Sequence, residues 1–455
     1  MENVLQKQKE FYKTGKTLDI QYRIKSLKLL KESIFNNLEE LVIAFKEDYN
    51  KCEFDVYSTE VGLVVKEINY FIKNLKRLSK PKRVRTSLIN FPSKGYILSE
   101  PYGNTLIVSP WNYPFQLTMM PLVASMGCGN TIVLKSSRNT PRVTKVIEKI
   151  LRVFDDEYIY VMENTKENMD RLFDLKFDYI FYTGSPNVAK ELMEKQAKYL
   201  TPMTLELGGK SPCIIDKTAN IEKSAKRVVW GKFLNAGQTC VAPDYVLVHN
   251  DVKREFMKHV IKYIQEFYYT NNELSNDFTC VINEKILNKL MGLIDKEKLV
   301  FGGNISNNTL EPTVLEDIGL NDEIMKEEIF GPIMPVIEFN NLEDVINYLK
   351  DKDKPLALYY FGKEYKKVLK NVSFGGGCIN DTIMHLTEEK LPFGGVGLSG
   401  MGSYHGKKSF EVFSHQKSIL KKHLKLEVNL KYPKYSEKKT KLTKMFFGIK
   451  NIKKR

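Results

Sequence analysis

Three short segments of the chain combine residue types that could carry out chemistry, and the first is Asn235-Ala236-Gly237-Gln238-Thr239-Cys240. A cysteine that follows glycine and small polar residues lies where backbone amides can approach an oxyanion on its adduct. A thiolate is a strong nucleophile where it is partly exposed and lies in positive potential. The other five cysteines are scattered without a C-x-x-C spacing, as buried structural cysteines usually are. Local context therefore makes Cys240 the candidate nucleophile, against the alternative of one more buried thiol.

The second segment, Leu205-Glu206-Leu207-Gly208-Gly209-Lys210-Ser211-Pro212, begins at the end of an apolar strand. Packing does not explain well why a lone carboxylate should stand between a hydrophobic strand and a Gly-Gly turn. Burial would raise the pKa of Glu206 towards the working range of a general base, which accepts a proton. The alternative is a surface carboxylate beside a turn, and this segment alone does not decide between the two.

The third segment, Ser109-Pro110-Trp111-Asn112-Tyr113-Pro114-Phe115, holds an asparagine between prolines and aromatic residues. A side-chain amide fixed in this way suits an oxyanion donor, which is worth about 3 kcal/mol of transition-state stabilisation. The alternative is an aromatic, proline-rich loop that only packs. Asn112 is therefore a candidate for catalysis that depends on what lies next to it.

Hydrophobic periodicity predicts the elements that must position these segments. Apolar residues at three- and four-residue steps predict helices over residues 18–80, followed by a basic linker over residues 81–85. Strands and helices then alternate, with strands predicted at 96–99, 105–108, 131–134, 158–162 and 179–182 and helices at 115–126 and 141–154. This alternation predicts a parallel, doubly wound α/β sheet, and a second strand–helix series over residues 203–386 predicts a second α/β domain.

Length and composition are those of an ordinary globular protein. The chain has 455 residues, of which 42% are hydrophobic and 27% charged. The N-terminus lacks the apolar core of a secretory signal, and the sequence contains no run of about 18 apolar residues. We therefore expect a soluble, cytoplasmic protein. No cysteine and histidine residues have metal-ligand spacing, so we predict no metal site.

The chain has a net charge of +15, and the C-terminal tail is the one segment in which basic residues are concentrated. Residues 431–455 contain ten lysines or arginines against the single acid Glu437, with an apolar cluster of Met445, Phe446, Phe447, Ile449 and Ile452. One interpretation is a solvated tail, and the other is a reversible, peripheral contact with anionic lipid headgroups. We expect no nucleic-acid partner, because the sequence contains no recognisable nucleic-acid-binding module.

Taken together, six segments resemble the motif set of the aldehyde dehydrogenase family. They occur in the family's order and at its spacing, including the 34 residues from Glu206 to Cys240: Ser109–Phe115, Thr183–Ser185, Glu206–Lys210, Gly237–Cys240, Glu327–Pro332 and Leu391–Gly397. Each is weak alone, but six in register over almost 300 residues are a strong signal. The short N-terminus and the segments Ala242–Tyr245, Ile383–Leu386 and Ser403–Gly406 resemble the class 3 and fatty aldehyde dehydrogenase branch, over about residues 5–435.

The resemblance implies an α/β fold with a Rossmann-like cofactor domain, an α/β catalytic domain and a small bridging arm that contributes to a homodimer. Residues 1–207 would form the N-terminal helices and the dinucleotide-binding domain, with a bridging strand near 86–100. Residues 208–386 would form the catalytic domain, and residues 387–430 would return to the cofactor domain and the arm. Residues 431–455 would be the basic tail.

The resemblance also implies a catalytic role for each of the three candidates. Cys240 would attack an aldehyde to form a thiohemiacetal, whose oxyanion the Asn112 amide and the Cys240 backbone N–H would hold. After hydride transfer to NAD or NADP, Glu206 would activate a water that hydrolyses the thioester. The branch points to medium- or long-chain aliphatic and aromatic aldehydes as substrates.

The remaining implied roles concern the cofactor. Lys135 and Glu328 would hold its ribose hydroxyl groups, and Phe330 would pack near the nicotinamide ribose. Gly184 and Ser185 would open the helix under the pyrophosphate, where unpaired N–H groups favour an anion.

The sequence departs from the family pattern at two cofactor positions. The family usually has Lys-Pro-Ser-Glu where this chain has Lys135-Ser136-Ser137-Arg138. A glutamate there would repel a 2′-phosphate, whereas Arg138 could pair with it, so we predict that NADP is tolerated or preferred. Ala189 stands where the family usually has glycine in the pyrophosphate helix, and one added methyl group should leave cofactor binding intact.

Two other functions remain as alternatives. An acylating enzyme that transfers the thioester to coenzyme A would use the same cysteine but would not need a water-activating carboxylate, so Glu206 favours hydrolysis. A non-catalytic protein on this fold would not need Cys240, Glu206, Asn112 and Glu328 together.

Overall fold

The structure is a computed structural model that describes residues 1–306 and 308–449. Its helices are α1 (Glu2–Lys13), α2 (Ile20–Phe35), α3 (Leu38–Tyr49), α4 (Glu53–Asp55), α5 (Gly62–Leu78), α6 (Gln116–Cys128), α7 (Pro141–Leu151), α8 (Lys166–Leu172), α9 (Pro186–Ala197), α10 (Ile221–Phe233), α11 (Asn250–Tyr268), α12 (Glu284–Met291), α13 (Leu342–Lys350), α14 (Tyr365–Asn371), α15 (Gly406–Val412) and α16 (Glu437–Phe446). A π-helical turn at Val56–Val61 joins α4 to α5.

The strands are β1 (Lys82–Val84), β2 (Ser93–Pro101), β3 (Asn104–Val108), β4 (Thr131–Lys135), β5 (Ile159–Val161), β6 (Tyr179–Thr183), β7 (Met203–Glu206), β8 (Pro212–Ile215), β9 (Tyr245–His249), β10 (Tyr269–Thr270), β11 (Glu273–Leu274), β12 (Leu299–Phe301), β13 (Ile305–Ser306), β14 (Thr309–Leu310), β15 (Thr313–Leu315), β16 (Ile333–Phe339), β17 (Ala357–Phe361), β18 (Gly376–Ile379), β19 (Gly400–Met401) and β20 (Ser414–Lys422). The predicted alternation of strands and helices is confirmed.

A six-stranded sheet in the order β19-β7-β6-β3-β4-β5 carries two of the three candidate segments. Its strands are parallel except for β19, which is antiparallel to β7. Val108 at the end of β3 pairs with Lys135 and Tyr182, and Thr183 pairs with Glu206. The carboxyl ends of the parallel strands therefore meet at one edge, which is where ligands bind to open α/β sheets.

A seven-stranded sheet in the order β12-β15-β16-β9-β8-β17-β18 carries the third segment. All neighbouring strands are parallel except β12 and β15. The chain leaves β8, crosses back through α10 and reaches Cys240 before it enters β9. The second α/β series predicted from the sequence thus exists as a second sheet from β8 onwards, whereas β7, the first strand of that predicted series, lies in the six-stranded sheet.

The N-terminal helices confirm the prediction over residues 18–80 but begin earlier than expected. α1 was not predicted, because only Gln8 and Phe11 on it are buried and no apolar stripe results. Gln8 fixes the helix through tertiary contacts instead: its Nε2 donates to the carbonyl oxygens of Ile132 (2.8 Å) and Asp156 (3.0 Å).

Residues 80–99 and 416–449 belong to a separate compact unit, in which the strands are ordered β1-β2-β20. The prediction of a linker over residues 81–85 was wrong in part, because Lys82–Val84 pairs with β2 in an antiparallel ladder. Among the helices that the structure describes, none is both long and apolar enough to cross a membrane.

Candidate active site

Cys240 follows a turn whose backbone lies in the left-handed region. Asn235, Ala236 and Gly237 have φ values of 55°, 53° and 70°, a conformation that carries a steric cost for residues other than glycine. A Cβ atom on Gly237 would overlap the carbonyl oxygen of Gly331, so this position requires glycine. Such strain persists only where the surrounding structure imposes it, as it often does at functional sites.

Hydrogen bonds fix the residues on both sides of Cys240. The hydroxyl groups of Thr239 and Tyr113 lie 2.6 Å apart, and the Tyr359 hydroxyl donates to the carbonyl oxygen of Val241 at 2.6 Å. Both tyrosines are buried. The thiol therefore lies between two neighbours that are each held by a hydrogen bond to a buried tyrosine, and such preorganisation is what a reacting group needs.

The Asn112 side chain is fixed beside this turn. One N–H of its side-chain amide donates to the backbone carbonyl oxygen of Gln238 at 3.0 Å. The backbone carbonyl oxygen of Asn112 accepts from the Tyr49 hydroxyl and from the Asn235 side-chain amide. A primary amide has two N–H groups, so one donor is left for another acceptor. This arrangement fits the predicted oxyanion donor.

Glu206 is the last residue of β7, and its side chain is only 3% exposed. Its backbone is held because its carbonyl oxygen accepts from Gly184 N–H at 3.1 Å. Within the described residues, neither carboxyl oxygen has a hydrogen-bond partner. Burial raises the pKa of Glu206 well above its ordinary value of 4.5.

Three cavities meet around these residues. The central cavity, of about 240 Å³, is lined by Asn112, Glu206, Cys240, Glu328 and Phe330 among others. An apolar cavity of about 340 Å³ shares Cys240 with it, and a polar cavity of about 760 Å³ shares Gly184 and Ser185 with it. The thiol of Cys240 thus lies where the apolar cavity adjoins the central cavity, which Asn112 and Glu206 also line.

The thiol of Cys240 is held in its protonated form by its surroundings. Burial, and then the carboxylates of Glu328 and Glu206, raise its pKa to about 12. A positive charge in the central cavity would act in the opposite direction. The structure therefore favours attack by the thiolate only when a cation lies nearby.

The polar cavity contains four of the predicted cofactor residues. Lys135 at the end of β4, Arg138, Gly184 and Ser185 all line it, and Pro186 begins α9 beside it. The first turn of a helix presents N–H groups that have no partner within the helix, so an anion is favoured there. Burial, followed by the neighbouring Arg138 charge, lowers the pKa of Lys135 to about 8.

Glu328 and Phe330 line the central cavity, as expected for residues that would contact a nicotinamide ribose. Phe330 has a φ of 53° and meets the Trp111 ring edge to face, with the centroids 5.5 Å apart. Burial and the charge of Asp244 raise the pKa of Glu328 to about 8. A Cβ atom on Gly208 would overlap the Glu328 carboxylate, so glycine provides the space for this side chain.

The structure does not bring Ala189 to these cavities. Ala189 lies on the buried face of α9, is 1% exposed and packs in a hydrophobic cluster with Leu192 and Leu205. Pro186 and Val188 of the same helix do line cavities. A small residue at position 189 thus allows α9 to pack on the sheet. Ala189 would affect cofactor binding only indirectly, by changing the position of α9.

Two charged residues of the site were not predicted, although both lie inside segments that were singled out. The Lys210 ammonium group donates to Asp244 Oδ2 at 2.6 Å and to the carbonyl oxygens of Ile324 (2.8 Å) and Glu327 (2.9 Å). Asp244 Oδ1 accepts from Ile329 N–H at 3.0 Å. This pair fixes the segment that carries Glu328 and Phe330.

Comparison with known proteins agrees with this geometry. The model of the "Aldehyde dehydrogenase family" matches residues 1–419. The chain is 44% identical to 4,4'-diaponeurosporen-aldehyde dehydrogenase of Staphylococcus aureus, over 96% of this chain and 97% of that protein. It is 39% identical to rat aldehyde dehydrogenase family 3 member A2, over 98% of this chain and 94% of that protein.

A solved structure described as the substrate-bound state of Staphylococcus aureus AldH superposes with a TM-score of 0.95 at 43% identity, covering 98% of this chain and 99% of that one. The predicted fold class and the class 3 resemblance are confirmed. The chain belongs to the aldehyde dehydrogenase family, whose members oxidise aldehydes with NAD or NADP.

Proposed function

We propose that this chain oxidises an aldehyde to the carboxylic acid through covalent intermediates on Cys240. The observation that carries the proposal is the position of the thiol, which borders both the central cavity with Asn112 and Glu206 and the apolar cavity. The six-stranded sheet would supply the cofactor site, and the second sheet would supply the nucleophile.

Each side chain has a defined part in this reaction. The Cys240 thiol releases its proton to solvent, and its sulfur forms a bond to the aldehyde carbon as the carbonyl π bond breaks. The carbonyl oxygen becomes an oxyanion that the second Asn112 N–H and the Cys240 backbone N–H stabilise. A bound nicotinamide cofactor supplies the hydride acceptor. Glu206 then takes a proton from water as the water oxygen attacks the thioester carbon, and the sulfur of Cys240 leaves.

Hydrolysis is distinguished from acyl transfer to coenzyme A by the fate of the thioester. We expect acid formation without added coenzyme A. Glu206→Gln should accumulate an acyl-enzyme, seen by intact-protein mass spectrometry as one acyl mass that is absent from Cys240→Ser. Turnover that requires coenzyme A, or a Glu206→Gln variant with wild-type steady-state rate, would contradict the hydrolytic role.

The apolar cavity supports a medium- or long-chain aliphatic, or an aromatic, aldehyde as substrate. Leu117, Trp230, Leu234, Ile383 and Phe393 form much of its wall, and each buried methylene group of a substrate contributes about 0.8 kcal/mol. We expect kcat/KM to rise from hexanal to decanal, and benzaldehyde to be a substrate. A preference for acetaldehyde over decanal would exclude this assignment.

Cofactor preference is proposed to lie with NADP. Besides Lys135 and Lys195, which pairs with Asp174, the cations Arg138 and Lys166 line the polar cavity and are available to a 2′-phosphate, although Asp170 and Glu191 lie there as well. We expect kcat/KM for NADP to equal or exceed that for NAD, and Arg138→Gln to reduce it about tenfold or more for NADP alone. A strong preference of the wild type for NAD would contradict the proposed preference for NADP.

A homodimer is proposed from the separate unit of residues 80–99 and 416–449. β20 is an edge strand of its sheet, and Ile419 and Leu420 on it are 45% and 51% exposed. An exposed apolar edge strand is a template for pairing with another chain. Light scattering after size exclusion should give twice the chain mass for the wild type and a smaller mass for Ile419→Glu; a monomeric wild type would exclude the dimer.

The basic tail is proposed to make a reversible contact with anionic lipid. α16 exposes Leu442, Met445 and Phe446 among its lysines, whereas residues 450–455, including Ile452 of the predicted apolar cluster, lie outside the described residues. Deletion of residues 431–455 should abolish flotation with phosphatidylserine vesicles and leave activity on a soluble aldehyde unchanged. Equal flotation of both forms would contradict the proposal.

A further inference from the structure

Lys51 and Glu60 form a buried ion pair that the reaction above does not use. The Lys51 ammonium nitrogen lies 2.7 Å from Glu60 Oε1, and both side chains are 0% exposed. Moving two charges from water into a protein interior costs free energy that their mutual attraction often only balances, and well-packed apolar residues can replace such a pair without loss of stability. Stability alone therefore does not explain the pair, and its other contacts become informative.

Both residues lie outside the cavities of the site. Lys51 is the second residue after α3, and Glu60 belongs to the π-helical turn Val56–Val61. Such turns are rare and are frequent at functional sites. Of the described residues, those that line the central and the apolar cavities include neither Lys51 nor Glu60. The pair can therefore act on the reaction only through the residues that it contacts.

The Lys51 ammonium group lies over the ring of Tyr113, with 4.2 Å between the nitrogen and the ring centroid. A cation at this distance is attracted to the face of an aromatic ring, most strongly where water is excluded. Tyr113 directly follows Asn112 in the chain. Its hydroxyl lies 2.6 Å from that of Thr239, the residue before Cys240. Tyr113 thus joins the oxyanion donor to the nucleophile, and Lys51 contacts its ring.

The second carboxylate oxygen of Glu60 holds the far end of the Asn112 loop. Glu60 Oε2 accepts from the backbone N–H of Gln116 at 2.8 Å, and Gln116 is the first residue of α6. N–H groups in the first turn of a helix have no partner within the helix, and a negative charge is favoured there. At the near end, the backbone carbonyl oxygen of Asn112 accepts from the Tyr49 hydroxyl at 3.1 Å. The loop is therefore held at both ends.

We propose that Lys51 and Glu60 are positioning residues for the oxyanion step: the pair fixes residues 112–116 so that the free N–H of the Asn112 amide stays directed at the oxygen of the Cys240 adduct. This inference rests on the oxyanion role of Asn112 in the proposed function. Neither member of the pair exchanges a proton with the substrate. The ammonium group acts on the Tyr113 ring, and the carboxylate acts on the backbone at Gln116.

Two variants disturb these contacts in different ways. Lys51→Met combined with Glu60→Gln leaves no unpaired buried charge and keeps an acceptor for the Gln116 N–H, but it removes the cation from the Tyr113 ring. Glu60→Gln alone keeps the cation. Because an amide has a single acceptor oxygen, this oxygen cannot take the place of both carboxylate oxygens, and the contact with either Lys51 or Gln116 is lost.

The rate of reduced-cofactor formation from decanal in a single turnover, with enzyme in excess and cofactor saturating, measures the chemistry up to hydride transfer. The double replacement should lower this rate about ten- to hundredfold and Glu60→Gln about tenfold, because misplacing a reacting group by about 1 Å can cost about a hundredfold. Cofactor affinity by calorimetry and the rate of Cys240 alkylation by iodoacetamide should stay within about threefold of wild type, because neither involves the Asn112 amide.

Leu41→Ala is the matched structural control. Leu41 lies on α3, is 0% exposed and lines neither of the two cavities in the described residues. Its truncation should lower the Tm and slow the single turnover by less than about threefold. A loss of rate in Leu41→Ala as large as in the pair variants would show that general destabilisation causes it, and would overturn the proposal.

An Asn112→Ala background separates positioning of this amide from any other effect. If the pair acts through Asn112, the double replacement should slow the single turnover by less than about threefold further in that background. An equal loss in both backgrounds, or a rate within about threefold of wild type in either pair variant, would overturn the proposal. A loss below about tenfold in Asn112→Ala itself would overturn the oxyanion role of Asn112, and this proposal with it.

Should the double replacement not fold, Glu60→Gln decides through the same comparison with and without Asn112→Ala. We expect a loss of about tenfold that disappears in the Asn112→Ala background, and a loss that persists there would overturn the proposal.

Discussion

Replacing Glu206 by glutamine should stabilise the folded protein at neutral pH while it blocks hydrolysis. Folding buries the carboxyl group without a described partner and raises its pKa well above 4.5. The folded chain therefore keeps a proton that the unfolded chain releases above pH 4.5. Because the unfolded chain binds fewer protons, the free energy of unfolding falls as the pH rises from 4.5 towards the folded-state pKa.

The magnitude follows from the width of this pH window. Each pH unit between 4.5 and the folded-state pKa lowers the free energy of unfolding by about 1.4 kcal/mol, which amounts to at most roughly 3 kcal/mol at pH 7 and under about 1 kcal/mol at pH 5. An unfolding entropy of about 2.1 cal/mol/K per residue gives about 1 kcal/mol/K for this chain. Glutamine has nearly the same shape and never ionises, so the Tm of Glu206→Gln should lie above wild type at pH 7, by up to about 3 °C, and within about 1 °C of it at pH 5.

Calorimetric melts at pH 5, 6, 7 and 8 and constant ionic strength, without cofactor, would measure this difference. The exposed Glu194→Gln is the matched control and should show no trend with pH. A Glu206→Gln variant that melts below wild type at pH 7, or a difference that does not change with pH, would refute the reasoning. The first result would mean that the carboxyl group has a stabilising partner, and the second that it is ionised in both states.

Three further predictions concern the thiol, the oxyanion donor and the cofactor site. Because the pKa of Cys240 is raised to about 12, the rate of its alkylation by iodoacetamide in cofactor-free enzyme should rise about tenfold per pH unit from pH 7 to 10. Peptide mass spectrometry would follow this rate. A plateau in the rate below pH 9 would show that the pKa of the thiol is lower. Asn112→Ala should lower kcat about 10²- to 10³-fold with unchanged cofactor affinity, and a loss below tenfold would exclude it as an oxyanion donor. Gly208→Ala should displace Glu328 and raise the KM for the cofactor about tenfold. The control Gly292→Ala should leave the KM unchanged, because its Cβ atom would have a nearest contact of 3.4 Å. An unchanged KM in Gly208→Ala would show that Glu328 has room to move.

The sequence was sufficient to predict those parts of the site that depend on local residue patterns. Strands that end in Lys135, Thr183 and Glu206 were recognisable as apolar runs that stop at a polar residue, and parallel pairing then places their ends at one edge. Cys240 and Asn112 were identified from loops whose residue types suit a fixed backbone. The motif set supplied which of these residues belong together.

Contacts between distant segments could not be predicted. Nothing near Lys210 in the sequence indicates that it holds the backbone at Ile324 and Glu327, more than 100 residues away. Gln8 likewise anchors a polar helix through the carbonyl oxygens of Ile132 and Asp156. In these cases tertiary hydrogen bonds, which leave no periodic trace, decide the structure.

The electrostatic coupling between Cys240 and Glu206 bears on the order of the proposed steps. The carboxylate of Glu206 raises the pKa of Cys240, so a thiolate and an ionised Glu206 disfavour each other. While the thiol is free, its ionisation for attack is easiest with Glu206 protonated, the form that burial already favours. Once the sulfur is bound in a neutral thioester, that repulsion is gone and Glu206 ionises more readily. The base is thus least active when it would suppress the nucleophile, and most active when only the thioester remains to be hydrolysed.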